Sequence, residues 1–92
     1  MAENVNDLTI EYREGDQLLV KELDKEVLTK GAWATVMYKY QELDRKTQDF
    51  GPVKFAIRRY QKRNGEYQQK SKFTISSVDQ ANKVIDILQK WL

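Results

Sequence analysis

Within residues 54–72 the chain places seven bases, Lys54, Arg58, Arg59, Lys62, Arg63, Lys70 and Lys72, against a single acid, Glu66. A local excess of +6 within a protein of net charge +2 is the pattern of a surface that meets a polyanion. The competing reading is a solvated hairpin whose charge keeps the protein in solution. The balance is asymmetric, since residues 1–30 hold eight acids and four bases. That acidic stretch is either a counter-surface that masks the basic one or a solvated edge. Other chemistries have no residues to carry them. The 92-residue chain has no cysteine and no histidine, which removes zinc fingers, thiolate and serine–histidine nucleophiles, imidazole acid–base work and haem or iron–sulfur ligation. The acids show no paired-carboxylate pattern with an evident pocket, so no enzymatic activity, metal or cofactor is expected.

The elements that must position these bases can be read from the alternation of apolar residues. Residues 53–61, VKFAIRRYQ, alternate as a strand, with Val53, Phe55 and Ile57 on one side and Lys54, Ala56, Arg58 and Tyr60 on the other. Arg63-Asn64-Gly65 predicts a tight hairpin, because Asn-Gly tolerates the positive φ angles it needs. Residues 66–75 return as a strand, with Tyr67, Phe73 and Ile75 on one face and Gln68, Lys70 and Lys72 on the other. Upstream, residues 32–43 form a long strand rich in aromatic and β-branched residues. Residues 44–52 carry turn chemistry. Residues 18–29 have partly helical spacing at Val20, Leu23 and Val27 but are read as an edge strand, with Lys30-Gly31 turning into the next one.

Ser77 with Gln80 makes a capping box, and Val78, Ala81, Val84, Ile85, Leu88, Trp91 and Leu92 form a helical apolar stripe. The expected fold is α+β: a four-stranded antiparallel sheet followed by a C-terminal amphipathic helix (β-β-β-β-α). The helix covers one face and leaves the other open. Residues 17–92 make this single domain, and residues 1–16 form an acidic, polar, partly disordered N-terminal segment with Leu8–Tyr12 as a possible short strand. With no long apolar run and an acidic beginning, the chain is expected to be cytoplasmic, nucleoid-associated if bacterial, with no membrane partner.

On this reading the outer face gathers Lys54, Arg58, Tyr60, Lys70 and Lys72. Cations following phosphates beside an aromatic ring suit single-stranded DNA or RNA, bound with little sequence specificity. Tyr60 has the alternative of capping the sheet edge through its hydroxyl. Trp33 is assigned to core packing, and Arg59, on the inner parity, to snorkelling at an edge or meeting an acid. The wide helix stripe predicts a homodimer with Val84, Leu88 and Trp91 in its interface. The rival reading is a protein-interaction or regulatory module with no nucleic-acid ligand.

The run Asp49-Phe50-Gly51, Val53, Ile57-Arg58-Arg59-Tyr60, Asn64-Gly65-Glu66 and Lys72 to Ile75-Ser76 resembles the core of the positive-cofactor transcriptional coactivators, whose topology Whirly- and Pur-type domains share. The resemblance spans about forty-five residues. It implies a β-β-β-β-α fold, dimerisation through the helices and single-stranded DNA on the sheets. It further implies that Phe50 is a base-stacking aromatic, Arg58 a DNA contact and Lys72 a basic position in the return strand. Gln61 stands where that family has a tryptophan, and Gln68-Gln69-Lys70 replaces its glycine-and-proline return loop.

Overall fold

The structure, a computed structural model, describes residues 4–92. After a short 3-10 turn at Val5–Asp7 come β1 (Tyr12–Glu14), β2 (Gln17–Thr29), β3 (Trp33–Asp44), β4 (Asp49–Phe50), β5 (Lys54–Arg63), β6 (Glu66–Ile75) and α1 (Val78–Trp91). The strands run antiparallel in the order β1-β2-β3-β5-β6, with β4 pairing β3. The α+β class and the terminal helix agree with the sequence reading. The expected four strands are an undercount: β4 lies within the 44–52 loop, and the short N-terminal strand falls at Tyr12–Glu14 instead of Leu8–Tyr12. Asn64 and Gly65 take φ of 53° and 80° in the β5–β6 turn, the positive values the hairpin requires.

The core lies on a different face from the one expected. Ala34, Val36, Tyr38 and Tyr40 of β3 and Ala56 and Tyr60 of β5 are buried together with Val5, Leu8 and Ile10. Residues 4–10 form a strap over this face, so the segment read as partly disordered is from Asn4 onward a packed layer; residues 1–3 lie outside the described residues. Small and large residues interlock beneath the strap: Ala34 is opposite Tyr60 and Ala56 opposite Tyr38, which leaves room for the two rings. Polar anchors hold the strap to β2. Lys25 Nζ donates to the carbonyls of Asn6 (2.8 Å) and Leu8 (2.7 Å), and Glu22 Oε1 accepts from Thr9 Oγ1 at 2.7 Å.

The opposite face carries Met37, Phe55 and Ile57, all half-buried, the buried Ile75 and the open Phe73, and α1 covers it only in part. No residue of α1 is buried, and Phe73 remains 54% exposed. The helix begins as expected, with the Gln80 amide donating to Ser77 Oγ at 3.1 Å and Gln80 Oε1 accepting from the Ser76 amide at 2.8 Å. It then leaves the sheet with its stripe open, Trp91 being 76% exposed. Among the described residues no helix is long and apolar enough to cross a membrane.

Candidate nucleic-acid interface

Alternation within β5 and its register against β6 decide which bases meet. Arg58 is directly opposite Lys72, and Lys54 follows Arg58 on the same face, so three of the expected cations stand together. That face is the strap face, and the three lie along the β5–β6 margin beside Ile10. Lys70 does not share their parity. Arg59 pairs Ser71 and Tyr60 pairs Gln69, so Lys70 is the extra residue of a β-bulge. The bulge also reverses the parity of what precedes it. Tyr67 points into the strap face, buried, while Phe73 points to the open one. A strict alternation over 66–75 had put both on one side.

Tyr60 is no surface aromatic. It is 4% exposed, and its hydroxyl and that of Tyr38 hydrogen-bond at 2.9 Å. Burial first, then this bond, push the Tyr38 hydroxyl well above the ordinary phenol value, while Arg58 acts in the opposite sense. Phe50 is also displaced from the cluster. It pairs Leu43, on the open-face parity of β3, and Lys21 Nζ sits 5.6 Å from its ring centre. Phe50 therefore stands on the other side of the sheet from Arg58 and Lys72. The proposed dimer residues Val84, Leu88 and Trp91 all lie on the uncovered helix.

The cations differ in how far they are engaged. Lys54 Nζ donates to Glu42 Oε1 at 2.9 Å, and this bond raises the lysine above its usual range against the opposing effect of burial. Arg58 lies 5.8 Å from the Tyr38 ring centre, and its Nε is buried with no hydrogen-bond partner among the described residues. The described ion pairs are Arg13–Glu11, Arg45–Glu14 and Lys54–Glu42. Of the seven bases between residues 54 and 72, only Lys54 thus meets a carboxylate, so the acidic N-terminal third does not mask this surface. Among the described residues no three acids converge where they could hold a metal ion.

One pair escaped the sequence reading. Trp33, assigned to the core, is 43% exposed on the open face, with the Arg59 guanidinium 4.7 Å from its ring centre. Their common face follows from the register, Thr35 opposite Arg59 and Trp33 opposite Gln61, which alternation within each strand does not supply. A cation seated on an exposed indole both stabilises the edge and presents a flat polar surface.

These features define an antiparallel α+β domain with a basic margin on one face and an apolar expanse on the other. No family model matches the chain, and no curated protein or solved structure shows significant similarity to it.

Proposed function

We propose that this domain binds single-stranded nucleic acid through the basic margin of β5 and β6, with little sequence specificity, in the manner of a transcription-associated cofactor. The observation that carries the reading is the unpaired charge: six of the seven bases in 54–72 have no acidic partner among the described residues, and two of them, Arg58 and Lys72, face each other across adjacent strands. Like charges directly opposite destabilise a sheet, so their juxtaposition favours a ligand that supplies the counter-charge. Phosphates at regular spacing do so, and an unpaired strand can follow the margin without a recognition helix.

The domain acts as a homodimer in this proposal. The helix stripe is open at Leu88 and Trp91 and half-buried at Val84, the sheet face is open at Phe73 and half-buried at Phe55 and Ile57, and a second copy carries the complement of each. Burying such apolar surface contributes about 25 cal/mol per Å². The uncovered helix also supports the rival reading, a module that docks a different protein and no nucleic acid.

Fluorescence-anisotropy titration against single- and double-stranded oligonucleotides, each at two salt concentrations, separates the two. Preferential, salt-sensitive binding of the single strand is the expected result. Equal indifference to both oligonucleotides would leave the protein-docking reading in its place.

A further inference from the structure

Beside the strap, the basic margin is not flat. Ile10, Val20 and Tyr40 floor a cavity of about 250 Å³ whose wall includes Arg58, Lys72 and Glu42. This is below the usual range for a whole drug-sized ligand, roughly 300–1,000 Å³, and suits one unit of a longer molecule. Its electrostatics are incomplete. Arg58 and Lys72 confront each other, and the buried Arg58 Nε has a donor with nowhere to go. Glu42, the acid on the wall, is already engaged by Lys54 at 2.9 Å. What the cavity lacks is a group of anionic acceptors; what it already has, next to that gap, is an apolar floor with an aromatic ring.

The geometry points to a phosphate-ester site in this cavity: Arg58 and Lys72 take the phosphate oxygens, and the nucleoside attached to that phosphate sits against the half-buried Val20 and the small accessible edges of Ile10 and Tyr40. A guanidinium and an ammonium converging on one group match phosphate, which offers acceptors to both. The inference rests on the single-strand reading and sharpens it, because a strand would then be anchored at one nucleotide and pass loosely over the remaining bases. A free nucleoside monophosphate carries the same chemistry, so the strand and the free ester are separate arms of the test.

The full chain, labelled with ¹⁵N, is titrated with adenosine 5′-monophosphate, adenosine, sodium acetate and a twelve-residue oligothymidylate. The monophosphate should shift the amides of Ile10, Arg58 and Lys72 saturably and be displaced by the oligonucleotide. Adenosine and acetate should bind at least ten-fold more weakly. Arg58→Gln and Lys72→Gln should each weaken the monophosphate about ten-fold, the scale of one charge-assisted hydrogen bond, while Lys90→Gln on the helix leaves it unchanged. Should Arg58→Gln fail to fold, Lys72→Gln, at an exposed edge position, carries the same expectation. Oligonucleotide binding with no monophosphate site, and with Lys72→Gln as tight as the unmodified chain, overturns the cavity and spares the single-strand reading. Monophosphate binding without oligonucleotide binding keeps the cavity and removes that reading. Acetate binding as tightly as the monophosphate reveals a general anion trap and overturns the phosphate assignment, as does no binding by any probe.

Discussion

Tyr60 is where a surface role and a core role give opposite results when one oxygen is removed. Its hydroxyl meets that of Tyr38 at 2.9 Å, and the two residues are 4% and 1% exposed. Tyr60→Phe keeps the ring but leaves a buried hydroxyl on Tyr38 without a partner, a loss of about 1–2 kcal/mol. In a domain of this size that lowers Tm by roughly 5–15 °C. Tyr38→Phe should cost a similar amount. The double variant removes both hydroxyls and leaves none unpaired, so its loss should approach that of one single variant, giving a coupling of about 1 kcal/mol. Urea denaturation followed by circular dichroism measures all four proteins. Concentration is held fixed, because self-association would make apparent stability depend on it. Single-strand affinity of folded Tyr60→Phe should be unchanged. Losses that add within about 0.3–0.5 kcal/mol would mean that the hydroxyls do not form an isolated pair. A Tyr60→Phe protein of full stability and reduced affinity would return the ring to the surface and refute the core assignment.

Other outcomes follow from the same geometry. Folding raises the Tyr38 hydroxyl, so its contribution is complete below the ordinary phenol value of about 10 and declines as pH rises above it, by at most about 1.4 kcal/mol per pH unit. Alkaline denaturation curves should show this decline, and Tyr38→Phe should flatten it. With Lys54 engaged by Glu42 and Lys70 off their parity, Arg58 and Lys72 remain to meet phosphates on this face, and log affinity against log salt should fall with a slope of roughly −1.4, from about −0.7 per contact; a slope near zero removes the phosphate track. Phe50→Ala should leave that slope intact and cost less than the roughly 1–3 kcal/mol of a stacked base, since its ring lies across the sheet from Arg58; a full stacking loss in anisotropy would contradict that placement. Leu88→Asp should convert the dimer into a monomer of 10.9 kDa by light scattering, whereas an unmodified chain that is already monomeric at high concentration ends the dimer proposal.

Much of the architecture was legible because local chemistry determines it. Asn64-Gly65 fits one kind of turn, Ser77 and Gln80 cap a helix start, and the alternation of 53–61 is undisturbed in β5. The errors have a physical origin too. A β-bulge adds a residue without any apolar or polar signature, so Lys70 slipped the parity of the return strand and carried Tyr67 to the opposite face. Val5, Leu8 and Ile10 are three apolar residues in a polar stretch, with neither a two-residue nor a helical period, yet one turn at Val5–Asp7 is enough to point all three inward.

Which face is inside was the harder question, because alternation separates two sets of side chains without ranking them. Phe55 and Ile57 outrank Ala56 and Tyr60 in hydropathy, and so were turned inward. The structure reverses this because alanine and tyrosine alternate across β3 and β5 as matched small and large partners, and the two tyrosine hydroxyls satisfy each other. The more apolar set is thereby left only half-buried at Phe55 and Ile57, and open at Phe73, beside the exposed end of the helix stripe. A chain that closes its core with a seven-residue strap, while leaving Phe73 at 54% and Trp91 at 76% exposure, keeps apolar surface that its described residues do not cover. Such a surface is costly to keep in water and is characteristic of an interface. On the proposed reading the two faces serve separate ends, the apolar one for a second copy and the charged margin beside the strap for a ligand.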